Sequence, residues 1–310
     1  MPVEFNIVLN QVIILFIILI VGFVAGKFKI IDAASTKKLS EVLLFVTSPM
    51  LVFNSFFIEF TKERLINILW IVGITGVIFF LSIFLSKVIY KKFNEKMVPV
   101  LRFTAIFSNC GYMGLPLMKA LYGDEGVFYG SFYIVVFYIV LWSYGYMMFG
   151  GKGTKGQMAK NVLTNPSIIG IYAGLIIFFF GISVPDPVRD AVKAVGNMTM
   201  PLSMLIIGGV MSTSKLTTVF TDWRVYLSSS VRLIIMPLLA LCFVLITGVP
   251  ALPGAVVVTA LAMPSAANTT IFSEKFDKDT IFASKCVTVS TLLSILTAPV
   301  IIAFALRLLL

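Results

Sequence analysis

Histidine is absent from this chain of 310 residues. Its absence rules out imidazole metal ligands, histidine proton relays and the Ser-His or Cys-His nucleophile pairs of many hydrolases. Cysteine is scarce as well. Cys110, Cys242 and Cys286 fall within or beside apolar segments and show no CxxC spacing. That pattern excludes a disulfide framework and a zinc site. Charged residues make up 12% of the chain, roughly half of what a soluble domain carries. Acids are the scarcer sign, 14 against 24 bases. Glu41 is the one carboxylate placed inside an apolar segment, whereas a carrier using buried carboxylates for sodium or protons would show more.

What fills the chain is apolar: 59% of residues are hydrophobic and the mean hydropathy is +1.03. Runs of about twenty apolar residues, the length that crosses a hydrocarbon core of about 30 Å, recur from end to end. Hydropathy predicts ten spans near residues 5–26, 38–58, 66–90, 98–119, 126–149, 166–183, 190–212, 222–248, 252–273 and 281–306. No stretch is left for a soluble domain, so residues 1–310 read as one membrane domain. The first run is too long for a cleaved signal peptide, follows Glu4 and has no basic residue ahead of it. It reads as a retained first helix.

The net charge of +10 resides in short loops, which marks it as a topology signal and not as a nucleic-acid surface. One set of loops holds Lys27, Lys29, Lys37, Lys38, Lys87, Lys91, Lys92, Lys96, Arg102, Lys152, Lys155, Lys160, Lys215, Arg224, Lys275, Lys278 and Lys285. The other side has Lys62, Arg64, Lys119, Arg189, Lys193 and Arg307. This imbalance predicts a multi-pass protein of the cell membrane with both termini outside the cytoplasm.

Two apolar segments are interrupted by polar residues. The first reads Phe-Ser-Asn-Cys-Gly-Tyr-Met-Gly-Leu-Pro at 107–116, the second Met-Pro-Ser-Ala-Ala-Asn-Thr-Thr at 263–270. Backbone that loses helical hydrogen bonds inside a bilayer survives only where protein or a water-filled cavity satisfies it. Matching interruptions in two halves point to the binding site of a secondary transporter. The halves, 1–149 and 166–310 around a Gly- and Lys-rich linker at 150–165, share weak similarity. Thr47-Ser48-Pro49 aligns with Thr199-Met200-Pro201, Thr104-Ala105 with Thr259-Ala260, and Asp124-Glu125 with Lys278-Asp279, all at an offset near 154. Five helices per copy would invert the second copy, giving a 5+5 inverted repeat in an all-α membrane fold with broken fourth and ninth helices.

At the first break, Gly111 and Gly114 permit unwinding, Pro116 removes a backbone donor, and Asn109 offers an amide beside Cys110. At the second, Pro264 is the breaker, while Ser265, Asn268, Thr269 and Thr270 supply hydroxyls and an amide. The free N–H groups where half-helices begin favour an anion. Structural bridging between helices is the other reading of these residues. Ser48, Pro49 and Asn54 in span two, with Asn197, Thr199, Pro201 and Ser203 around span seven, either face the same cavity or serve helix packing. Arg232, well inside span eight, either holds a substrate carboxylate or snorkels to the interface. Glu41 is expected to pair with Lys37 or Lys38.

The string Asn-Cys-Gly-Tyr-Met-Gly-Leu-Pro at 109–116 resembles the Asn-Thr-Gly-Phe-Met-Gly-Leu-Pro of the auxin efflux carrier family. Met-Pro-Ser-Ala-Ala-Asn at 263–268 resembles that family's Met-Pro-Ser-Ala-Thr-Asn. The similarity covers the whole chain and fits the short-looped bacterial and archaeal members, often labelled malate permeases. It implies the fold of bile-acid and sodium–proton carriers, a scaffold and a transport domain moving as an elevator, and a homodimer. It also implies small organic anions as substrate, bound around Asn109 and Pro264, with no cofactor and a coupling ion, proton or sodium, left open. The plant members' long central loop is missing, so hormone transport is not carried over. Cys110 replaces a more usual Thr or Pro. A sodium-coupled symporter of the bile-acid type is the alternative function; an enzyme finds no hydrolytic machinery here.

Overall fold

A computed structural model describes residues 5–151, 153–213 and 221–309. Glu4, Lys152 and Lys215 lie outside the described residues. α1 (Phe5–Lys27) is one unbroken helix. α2 (Ala33–Val42) passes through a π-turn at Leu43–Thr47 into α3 (Ser48–Asn54). α4 (Lys62–Ile89) is again continuous. α5 (Val98–Ile106) stops short, and the chain resumes in a π-turn at Cys110–Gly114 and α6 (Leu115–Val140). Gly123, with φ 68° and ψ −153°, turns the backbone inside α6 and separates the end of the fourth predicted span from the fifth. A π-turn at Leu141–Gly145 and α7 (Tyr146–Met148) complete that fifth segment.

The second part of the chain runs through α8 (Lys155–Leu163), α9 (Pro166–Phe180), α10 (Asp186–Asn197) and α11 (Thr199–Thr213). α12 (Trp223–Ser230) continues through a π-turn at Val231–Ile235 into α13 (Met236–Thr247). α14 (Ala251–Ala262), α15 (Asn268–Lys275) and α16 (Thr280–Leu309) follow. The fold is that of an all-α integral membrane protein. Among the described residues, six helical runs are long and apolar enough to cross a bilayer, and α8 with α9 makes a seventh only if that pair, bent by 63°, is one span. Of the other predicted spans, 38–58 follows α2 through its π-turn into α3, and 98–119 and 252–273 each combine shorter helices on either side of a break.

Proline explains where three of the four π-turns among the described residues fall. Pro49, Pro116 and Pro237 each stand two residues after such a turn. A proline ring crowds the carbonyl four residues back and lacks the N–H that would bond to it. Those carbonyls belong to Phe45, Tyr112 and Leu233, all inside the turns, where wider winding moves them aside. The linker differs from expectation in being partly helical. Thr154 caps α8 by accepting from the Gln157 amide at 3.2 Å, and Asn165 with Pro166 starts α9 immediately after.

Packing sorts the helices into two groups. α1, α3, α9, α10 and α11 hold together, as do α4, α5, α6 and α12 to α16, with α1 also leaning on α16. The first group is sealed by glycine. A Cβ on Gly22 would stand 2.5 Å from the Leu205 carbonyl oxygen, and one on Gly208 would strike the Leu19 carbonyl. Small residues four apart, Gly22 and Gly26, let α1 and α11 touch backbone to backbone.

Candidate functional site

Both breaks lie at one place. α5 ends at Ile106 and α14 at Ala262, and the extended residues after them pair antiparallel through Ser108 and Ser265. The Ala266 amide donates to the Phe107 carbonyl at 2.9 Å, and the Asn109 amide donates to the Pro264 carbonyl at 2.7 Å. Each broken helix thus supplies the bonds the other has lost, which is how irregular backbone persists at membrane depth. The next half-helices begin immediately beyond, at Cys110 and at Asn268. Their first N–H groups have no partner within the helix.

A narrow cavity adjoins this crossover. Its polar wall comes from Ser108, Asn109 and Gly111 on one break and from Ala266, Ala267 and Asn268 on the other. Opposite stand Leu43, Leu44 and Ser48 at the α2–α3 π-turn and Ser167 in the first turn of α9. The cavity therefore lies between the two packing groups. Tyr112 and Tyr138 add hydroxyls, and Leu115, Ile134 and Phe137 supply an apolar flank. Among the described residues, no charged side chain lines it. Such a lining offers an anion neutral donors and helix N-termini, and an organic body an apolar surface.

The sequence matches the model of a family described as membrane transport protein at residues 7–164 and 156–302. The chain belongs to this family, that of the auxin efflux carriers. Over 302 aligned residues it is 24% identical to an uncharacterized transporter of Methanocaldococcus jannaschii, covering 93% of this chain and 96% of that protein. Over 292 residues it is 22% identical to an uncharacterized transporter of Methanothermobacter thermautotrophicus, covering 91% and 93%. It is a multi-pass membrane transporter.

In this member of the membrane transport protein family, the residues singled out from sequence divide into three sets. Ser48, Asn109, Gly111 and Asn268 line the cavity together. Cys110, Pro264, Ser265 and Thr269 shape the crossover behind it. Ser265 Oγ donates to the Thr104 carbonyl at 3.3 Å, its amide donates to Ser290 Oγ at 3.2 Å, and Thr269 Oγ1 donates to the Ala266 carbonyl at 2.6 Å. The third set is engaged elsewhere. Pro49 packs its carbonyl against Gly170 of α9, and Asn54 donates to Asp124 Oδ1 at 2.8 Å, an oxygen that Lys119 also contacts.

Arg232 is fully buried and does not snorkel. Its Nη1 donates to the Ala105 carbonyl at 2.9 Å and the Ile106 carbonyl at 3.3 Å, and its Nη2 donates to the Leu261 carbonyl. Those are the last turns of α5 and α14. Glu41 pairs with Lys38 at 3.0 Å, one of its two expected partners. At the N-terminus of α12, where Asp222 precedes the apolar run Trp223–Thr247, Arg224 grips Asp222 through Nε at 2.8 Å and Nη2 at 2.6 Å and holds its carboxyl below the usual carboxylate range.

Sequence reasoning passed over Ser108, Tyr112, Tyr138 and Ser167 as cavity residues. Ser108 and Tyr112 were within the first break and could have been taken with Asn109. Ser167 follows Asn165-Pro166, a recognisable helix start. Tyr138 gives no local signal; only the return of α6 past the crossover brings it there.

Proposed function

We propose that this transporter is a secondary carrier of small organic anions, dicarboxylates such as malate among them, working by alternating access with the substrate at the helix crossover. The observation that carries the proposal is the cavity between the two packing groups, into which two half-helix starts bring Asn109 and Asn268. The substrate's carboxylate would take amide and N–H donors from this wall, and its carbon skeleton would lie on Leu115 and Phe137. Ser48, Gly111, Pro264, Ser265, Thr269 and Cys110 would shape that wall, with Arg232 holding it from behind.

The grouping of helices supports an elevator in which the α4–α6 and α12–α16 group moves against the glycine-sealed group. A mobile wall and a fixed wall meeting at the cavity give each its own part of the site. With the repeats 1–149 and 166–310 inverted, the lysine-rich loops would face the cytoplasm and both termini the outside of the cell membrane. A homodimer would join through the fixed group.

The test is counterflow of radiolabelled malate into proteoliposomes, with wild-type protein against Asn109→Ala and with a panel of other carboxylates alongside. Uptake by the wild type that the variant lacks supports an anion carrier using the crossover. If no anion on the panel exchanges, or if both Asn109→Ala and Asn268→Ala transport like the wild type, the proposal fails.

A further inference from the structure

The final carbonyls of a helix have no intrahelical partner and form the negative end of its dipole. Inside a bilayer no bulk water is at hand to satisfy them. Carriers with discontinuous helices commonly arrange such carbonyls around a bound cation. Here the ends of α5 and α14 meet, and one side chain reaches both. Arg232 is fully buried, donating to Ala105 and Ile106 on one helix and to Leu261 on the other. By the usual figure of about half a charge per terminus, the two ends together present about one negative charge. One guanidinium offsets it.

The chemistry of the side chain suits the place. A guanidinium remains protonated throughout the range in which proteins fold, and it is less strongly hydrated than an ammonium. Its planar fork can serve carbonyls on two sides at once, which a point charge such as lysine does less well. Among the described residues no carboxylate pairs with Arg232, whose hydrogen bonds all go to backbone carbonyls. Nor is there a group of three or more acids and cysteines among the described residues that would hold a metal ion.

We propose that Arg232 is a resident cation. Its guanidinium occupies the position between two half-helix ends that a bound monovalent cation fills in cation-coupled carriers, so the crossover assembles and takes up its anion without sodium. Arg232 is on this account a positioning residue, acting on substrate through the two half-helices it clasps. The inference rests on the carrier reading for the anion alone; the cation independence of the folded crossover follows from the contacts of Arg232.

The experiment compares thermal unfolding of the full chain in detergent in choline, sodium and potassium chloride at equal ionic strength. Malate counterflow is run in the same three salts. The wild-type midpoint is expected to agree across the salts to about 1 °C, and any anion exchange to proceed equally in all three. Arg232→Gln, which removes the charge, is expected to lower the midpoint by roughly 5 °C or more and to regain part of that loss in sodium over choline. Arg232→Lys, which keeps the charge, should remain indifferent to the salt. A saturable rise of the wild-type midpoint with millimolar sodium overturns the proposal, as does an Arg232→Gln variant as stable as wild type in every salt. Should Arg232→Gln fail to fold, the wild-type comparison decides alone. Salt-independent stability with no anion exchanged sinks the carrier reading and leaves Arg232 as a resident cation. Exchange that requires sodium does the reverse.

Discussion

Among the places where separate helices of this transporter come into backbone contact, two do so by opposite means. Along α1 and α11 the contact is made by omission: Gly22, Gly26 and Gly208 leave no room for a side chain. At the crossover the contact is made by exchange, each broken helix bonding to the other's unpaired backbone. The seam leaves no polar backbone unsatisfied because both helices are intact there, so it can be purely steric. The crossover cannot, and it draws in Arg232, Ser265 and Ser290 to complete the bonding. Even the glycines differ. A Cβ on Gly111 meets nothing within 4 Å, so that glycine keeps open space where the seam glycines abolish it.

Substitutions that exchange these roles test the comparison. The largest effect is expected at the seam. Gly208→Val drives a side chain into the Leu19 carbonyl and should cost about 3 kcal/mol or more, read as a lowered unfolding midpoint and loss of monodisperse protein. Wild-type stability in that variant would mean that α1 and α11 do not meet as described. Asn109→Ala and Asn268→Ala should leave the unfolding midpoint nearly unchanged and weaken anion affinity about tenfold each, the value of one hydrogen bond of roughly 1–1.5 kcal/mol. Competition by unlabelled anion in counterflow measures this.

Gly111→Ala sharpens the contrast between the two glycine classes. Removing a glycine from helical backbone favours folding by up to about 1 kcal/mol, so the protein should be as stable as wild type or slightly more so. Transport should nevertheless slow by a few-fold, because the new methyl enters the cavity; a drop in stability would place Gly111 with the seam. The smallest effect belongs to Asp222. Its carboxyl, held low by Arg224, stabilises the fold at pH values above the unfolded carboxylate's value near 4, and that contribution fades as pH falls through the lower folded value. Asp222→Asn should therefore cost under about 1 kcal/mol at pH 7 and flatten the acid limb of a stability-against-pH curve.

Much of the fold could be read directly because membrane spans are written in local composition. The breaks at 107–116 and 263–270 were equally plain, since proline, glycine and asparagine disturb a helix wherever they stand. The π-turns before Pro49, Pro116 and Pro237 were not anticipated, although Pro49 and Pro116 themselves stood out. The helix at Lys155–Leu163 was hidden by the Gly- and Lys-rich composition of its segment and is set by Thr154 as its cap. Asn54 looked equivalent to Ser48 from their shared helix, yet Asn54 turns to Asp124 while Ser48 meets the cavity.

The sequence by itself determined an apolar all-α chain, the segments that could not remain helical, and the residue types available to a binding wall. These follow from period, length and backbone chemistry, all of which act over a few residues. Only the tertiary structure decided what those residues touch. Arg232 bonds to carbonyls more than a hundred positions earlier in the chain and to another 29 positions later. A guanidinium in hydrocarbon must find acceptors, but which acceptors it finds depends on where two broken helices end against each other, and no local pattern contains that.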